Sequence, residues 1–466
     1  MPRARSRKVM VVALALIASG CTVGPNYRRP VVTVPQIYRG AAAAAPSTAA
    51  SFGDEKWWEV FQDPQLQALI RTALKQNYDL RIAATHILQA QAQLGIARGD
   101  QLPTAGVIAA GNNQRAAKSK FFSAYDTSST ELALGLKWDL DFWGKYRRAT
   151  EAARDDLLAN NWARQQVVSS LVADIASAYF TLRTQDSQLQ ISQRTLAANQ
   201  DSLRLTQLLS DHGATSMLDV RQAEQLVYSA SAAIPSTEKQ IEQQEDLIST
   251  LLGQNPGDVA RGLELTAQPH LPEVPAGLPS SLLERRPDIR EAEAELMAAN
   301  ARIGVAKAAY FPDISLTGVA GFQSIQLAKL FTGPAEMWNF TGQLLQPLYA
   351  GSTLKSGVQL AQAQQQEALL NYQQTIQEAF REVSDALIAY QKDHEFRTQQ
   401  ESLTRSAQDA SRLSDIRYRG GASSYLEVLD SNTRAYAAEL TLVQAQLGEM
   451  LDYIQLYLTL GGGWQE

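Results

Sequence analysis

The strongest periodic signal in the chain has a period of two. Between Thr130 and Phe142, Leu132, Leu134, Leu136, Trp138, Leu140 and Phe142 fall on one side. Glu131, Ala133, Gly135, Lys137, Asp139 and Asp141 fall on the other. Such alternation predicts a strand with one apolar and one polar face. Asp313–Gln323 and Met337–Leu348 repeat the pattern, with Ile314, Leu316 and Phe322, and then Trp338, Phe340, Leu344 and Leu348, on their apolar sides. Thr104–Asn113 is a weaker fourth strand of mostly small residues. Two architectures share this pattern: a soluble sandwich with the apolar face as core, and a membrane barrel with the apolar face toward lipid and the polar face toward water. Strands of about 10 residues with aromatic residues near their ends suit the barrel. Four strands cannot close one, since closure takes at least about eight. Two chains would supply about 8 strands and three about 12, and the pattern does not choose between them.

Elsewhere the period is helical. From Ser352 to Arg419 there is no Pro and Gly357 is the only Gly, a run of roughly 100 Å if helical throughout. Leu369, Tyr372, Ile376, Ala379, Val383, Ala386 and Tyr390 step alternately by three and four, which is a heptad seam. Lys145–Asp211 is a similar run without Gly or Pro, and Ala173, Ala176, Ser177 and Ala178 offer small faces for close approach. Helices of this length pack lengthwise against others. A coiled-coil stalk and a hollow helical cylinder both satisfy that demand. Shorter helices are expected over Gln65–Arg98 and Pro279–Ala309.

The chain is a duplication. His212–Val220 echoes Gly420–Val428, Leu102-Pro103 matches Phe311-Pro312, and Gly144 matches Gly351, at offsets of 207 to 209 residues. Each repeat reads as a helix, a Pro-headed strand pair, a very long helix, a Gly-containing turn and another long helix. The boundaries expected are a signal segment over 1–20, an extended segment over 21–56, a first repeat over 57–257, a Pro- and Gly-rich linker over 258–278 and a second repeat over 279–462. At the turns, Gly213 and Gly420 or Gly421 can take the left-handed conformation that ends a helix. Ser216 with Asp219, and Ser424 with Glu427, have capping-box spacing.

Charge and composition narrow the function. A net charge of −6 does not suggest a nucleic-acid partner. The four histidines, His86, His212, His270 and His394, show no metal-ligand spacing. With no phosphate loop or nucleophile motif either, no enzyme is indicated and no cofactor or metal is expected. At the start, Arg3, Arg5, Arg7 and Lys8 precede an apolar run from Val9 to Ala18, then Ser19, Gly20 and the single cysteine, Cys21. This order is that of a secretory signal. Ile17–Cys21 resembles a lipobox, with Ala18 where that pattern usually has Leu, so Cys21 is expected to carry a covalent lipid. After residue 20 no segment reads as a transmembrane helix, and any crossing would use strands.

Several segments together resemble a known family: Cys21–Tyr27 with Arg29-Pro30, Trp57-Trp58 with Phe61–Pro64, Lys137–Gly144, Arg286–Ile289 with Ala292-Glu293, Gln346–Tyr349, and Arg417–Arg419 with Gly421 and Tyr425-Leu426. They are similar to the outer membrane factor (TolC-like) family, in its efflux-pump lipoprotein branch of the NodT/OprM type. The likeness spans essentially the whole mature chain; Ala350-Gly351-Ser352 departs from a common double glycine. The resemblance implies a mixed, mainly α chain with membrane β-strands, forming a homotrimeric duct. Four strands per chain would build a shared 12-stranded β-barrel in outer membrane lipid, continued by a long coiled-coil α-helical barrel in the periplasm. It implies an exit duct of a tripartite efflux pump, with a periplasmic adaptor (membrane fusion) protein and an inner-membrane efflux transporter of the RND type as partners. Thr22 after the cysteine implies sorting to the outer membrane. The adaptor would dock on the helix-turn tips: Gly213, Thr215, Ser216 and Asp219, and Gly420, Gly421, Ser424 and Glu427. Asp415, Arg417, Arg419 and Asp430 are the candidate periplasmic gate, expected to link protomers when closed; solvated helix-end charges are the alternative. A coiled-coil lipoprotein that spaces the membranes without a pore is the rival function, distinguished by its lack of ion conductance.

Overall fold

The computed structural model describes residues 22–40, 51–118, 120–121, 123–265 and 277–465. The expected signal segment, Cys21, part of the 21–56 segment and much of the linker, including His270, lie outside these residues. The helices are α1 (Trp57–Val60), α2 (Pro64–Gln76), α3 (Tyr78–Gly99), α4 (Lys145–Asp211), α5 (Met217–Leu251), α6 (Pro279–Arg285), α7 (Pro287–Ala308), α8 (Thr353–Arg419) and α9 (Tyr425–Thr459). The strands are β1 (Thr104–Ala116), β2 (Tyr125–Leu140), β3 (Asp313–Ser324) and β4 (Glu336–Leu345). Two compact units emerge, each drawing on both sequence repeats. One comprises Met1–Val31, His86–Asn161 and Glu291–Gln373, and the other Val32–Thr85, Trp162–Arg290 and Gln374–Glu466.

The first unit holds a four-stranded antiparallel sheet in the order β1-β2-β3-β4. Its register aligns Val107, Leu134, Ala320 and Trp338 in one row, and Ala105, Leu136, Gly318 and Phe340 in the next. The alternation seen along single strands therefore continues across the sheet, because paired residues share a face. Strand ends differ from expectation. β2 begins at Tyr125, since polar Tyr125–Ser129 pairs with Asn112–Ala116 of β1 although it lacks alternation. β4 ends at Leu345, ahead of Pro347, which has no amide to give the ladder, so Leu348 is a loop residue.

In the second unit the heptad seam of α8 is real: Ile376, Ala379, Val383 and Ala386 are buried. The shorter helices correct the sequence reading. The expected Gln65–Arg98 helix breaks at Asn77 and the expected Pro279–Ala309 helix breaks at Arg286, both with extended ψ, near 134° and 124°. These positions are one repeat apart, and both fasten the break to the end of their own repeat's last helix. Asn77 Nδ2 donates to the Leu251 carbonyl at 3.0 Å, and Arg286 Nη1 donates to the Thr459 carbonyl at 3.3 Å. Pro287 gives a local cause for the second break, because a residue before proline avoids the helical region. Asn77 achieves the same by capping α3 through Leu80 N, at 3.0 Å, and no proline is needed.

Candidate functional site

The sheet is a two-faced wall with nothing laid against its greasy side. Trp338 is 81% exposed and Leu134 64%, with Val107, Phe340 and Leu344 also open. A soluble sandwich would cover such a face with a second sheet, and among the described residues none does. The opposite face carries Thr104, Lys137, Thr317 and Thr341 in one row, and Asp139, Ser315 and Gln343 in another. Its acids near the helix junctions are matched by bases: Lys137 Nζ lies 3.2 Å from Asp139, Lys145 Nζ 3.7 Å from Asp313, and Arg147 Nε 3.3 Å from Asp141. The outer strands β1 and β4 each have one partner only, which leaves two rows of backbone groups open to pairing with another chain. Among the described residues, no helix is long and apolar enough to cross a membrane.

Below the strand-to-helix junction, the segment after Cys21 is strapped to the same unit. Val23 N donates to the Trp143 carbonyl at 3.0 Å. Buried Arg148 reaches the Val23 carbonyl and Asn26 Oδ1, the latter at 2.7 Å. Glu293 binds Arg29 at 3.0 Å and accepts from Tyr27 Oη at 3.2 Å. Gly24 lies on Gly304 so closely that a Cβ would fall 2.5 Å from its Cα, which requires glycine there. Arg148 carries no sequence signature of this role, since its partners are 122 to 125 residues away.

The turns of the second unit hold the expected tip residues. Both long helices end in the same way. Gly213 and Gly421 have φ of +73° and +71°, while Gly420 remains with the helix through a 3.0 Å bond to Ile416 O. Ala214 N bonds Leu209 O and Ala422 N bonds Arg417 O, each at 2.8 Å, the 6→1 bonds of a Schellman motif. Beyond the turns the copies diverge. Ser216 and Asp219 form a reciprocal capping box, and Thr215 Oγ1 donates to Asp219 as well. These bonds, the one from Thr215 first, hold the Asp219 carboxyl below its ordinary range. The clasp is therefore present above the usual carboxylate pKa and is lost as pH falls through the lowered one. Ser424 makes no side-chain cap: Glu427 turns instead to Arg417, at 3.5 Å. The spacing thus forms a box in one copy only. Ser216→Ala should cost about 1 kcal/mol at its helix end, and Ser424→Ala less than about 0.5 kcal/mol. Amide exchange in the first turns of α5 and α9 measures both; equal effects would contradict the difference.

The candidate gate charges pair inside the chain. Arg419 Nε lies 2.8 Å from Asp415 and Arg434 Nε 2.8 Å from Asp430, each within one helix. Exposed pairs of this kind add little stability. At the 208-residue offset the first repeat has Gln207, Leu209, Asp211 and Gln222 in place of Asp415, Arg417, Arg419 and Asp430, so this charge set belongs largely to the second turn. A residue that periodicity does not mark joins the two hairpins. Tyr425 is buried with Ala223 and Val428, its ring 5.3 Å from Tyr418 and its hydroxyl 3.4 Å from Ser202 Oγ. The matching Met217 is exposed.

An uncovered two-faced sheet with open edges, carried on helices of 67 residues, has the build of a conduit wall. Known proteins of this build are similar along their whole length. The family model for outer membrane efflux protein matches residues 69–254 and 278–462. The toluene efflux pump outer membrane protein TtgC of Pseudomonas putida is 37% identical over 458 residues, covering 97% of this chain and 94% of that protein. The cation efflux system protein CusC of Escherichia coli O6:H1 is 34% identical, covering 98% and 99%. The solved structure of the outer-membrane channel OprN superposes with a TM-score of 0.89 at 30% identity, covering 96% of this chain and all of that one. The chain belongs to the outer membrane efflux protein family: it is a TolC-like exit channel of an efflux pump, and not an enzyme.

Proposed function

We propose that three copies of this chain form the duct, each β1 edge pairing with a neighbour's β4 edge to close a 12-stranded barrel. The observation that carries this is the sheet itself. Its apolar face needs lipid, its polar face suits water, and its four strands cannot close alone. The duct does no bond chemistry and conducts what an inner-membrane transporter of the RND type expels through a periplasmic adaptor. The adaptor docks on the tips around Gly213–Asp219 and Gly420–Glu427. Asp415, Arg417, Arg419 and Asp430 close the second-repeat tip at rest by exchanging their in-chain partners for those of a neighbouring protomer. Relatives of similar identity are named for toluene and for cations, so cargo selection lies with the pump, and this duct tolerates a range of small solutes.

Cys21 carries the lipid. Thr22, one peptide from it, packs on Gly144 at the strand-to-helix junction, which is the level of the inner leaflet in the barrel arrangement. The lipid is then a supplementary tether that aids sorting, while the barrel holds the protein in the membrane. Mass spectrometry of the N-terminal peptide detects the acyl groups.

Planar-bilayer recording of the purified protein tests the duct. Stepwise ion conductance is expected, rising in Asp415→Ala and Arg417→Ala. Unchanged conductance in both variants would overturn the gate, and no conductance in any protein, including the variants, would favour the membrane-spacing reading.

A further inference from the structure

Charge on the polar face of the sheet is compensated within the chain, with one exception. Asp139 is matched by Lys137 and Asp313 by Lys145. Glu131 has neither acid nor base beside it. Its register partners are Ala110 on β1 and Gln323 on β3, and its same-face neighbours along β2 are Ser129 and Ala133. Among the described residues it makes no ion pair. Lys137, the next charge on this face of β2, is six residues away, roughly 20 Å along the strand, and is already engaged.

We propose that Glu131 sets the charge preference of the barrel, its copies forming an acidic ring that favours cations over anions in the lumen. This rests on the shared-barrel reading above, which turns the polar face inward. Rings of acidic side chains select cations in channels, and walls of low dielectric focus their field into the water they enclose. The effect depends strongly on salt. The screening length is about 8 Å at 0.15 M but about 30 Å at 0.01 M, so the ring commands a wide lumen only in dilute electrolyte. Lys118, Lys120 and Lys329 lie on the connections outside the strands and have the opposite sign. They do not neutralise Glu131 in place, but they become the dominant fixed charge of the outer mouth once it is removed.

Reversal potentials in KCl gradients near 10 mM test this on the full-length protein. A cation-to-anion permeability ratio on the order of two- to fivefold is expected for the parent chain, collapsing toward one in molar salt. Glu131→Gln should bring the low-salt ratio to one or below, and Glu131→Lys should invert it. The paired change Lys137→Met with Asp139→Asn should leave it near the parent value. A Glu131→Gln channel with the parent ratio overturns the proposal. No ion conduction by the parent chain, by the Glu131 variants or by these channels carrying Asp415→Ala overturns the barrel reading and the proposal with it.

Discussion

Leu134→Arg should empty the outer membrane of assembled protein. Leu134 lies in the row Val107–Leu134–Ala320–Trp338, well within the apolar face. A basic side chain at such a depth costs about 2–4 kcal/mol in a membrane barrel. Every copy in a closed barrel bears that cost, so a trimer would lose about 6–12 kcal/mol, comparable with the whole stability of an ordinary domain at about 5–15 kcal/mol. Membrane fractionation and heat-sensitive oligomer bands on gels report the loss. Thr317→Arg is the matched control, since Thr317 lies opposite Lys137 on the polar face, where a charge meets water. Equal assembly of the two variants would show that the faces are wrongly assigned.

The second large effect is expected at Arg286. Its guanidinium is nearly buried and binds Asp288 twice, at 2.9 and 2.5 Å, Glu382 at 2.8 Å and the Thr459 carbonyl at 3.3 Å. Arg286→Ala leaves two carboxylates facing each other without a cation and a carbonyl without a donor. Arg286 is buried while Asp288 and Glu382 keep some solvent, so the loss should lie near the lower end of the buried-pair range, about 3 kcal/mol. Asn77→Ala, at the equivalent break of the first repeat, removes only neutral bonds and should cost about 1–3 kcal/mol. Urea midpoints of the detergent-extracted protein rank the two. A smaller shift for Arg286→Ala than for Asn77→Ala would contradict the assigned network, and Arg286→Lys, which keeps the charge without the fork, should fall between them.

The strands and long helices were legible because their causes are local. Leu132 to Leu140 alternate whatever surrounds them, and an unbroken run from Lys145 to Asp211 needs no partner to be recognised as helix. The breaks at Asn77 and Arg286 were less accessible. The carbonyl that holds Asn77 belongs to Leu251, 174 residues away, and nothing near Asn77 separates it from an asparagine inside a helix. The failed capping box at Ser424 has the same origin. Its spacing matches Ser216, but Glu427 finds Arg417 on the opposite side of the turn, a competitor that Asp219 lacks because Leu209 occupies the matching place. At the tips, sequence spacing located the turns correctly, and only packing showed that Tyr425 is buried between the hairpins there. Glu131 was visible as a polar-face residue from alternation alone; its isolation became apparent only through the cross-strand register.

In the proposed duct this chain completes its barrel with copies of itself. Native mass spectrometry of the protein extracted from outer membranes tests that most directly. Three copies from the parent chain, and no trimer recovered from outer membranes of cells making Leu134→Arg, is the expected result. A folded, membrane-inserted monomer would contradict it, because four strands with two open edges cannot close in a bilayer, and a dimer would contradict the 12-stranded closure.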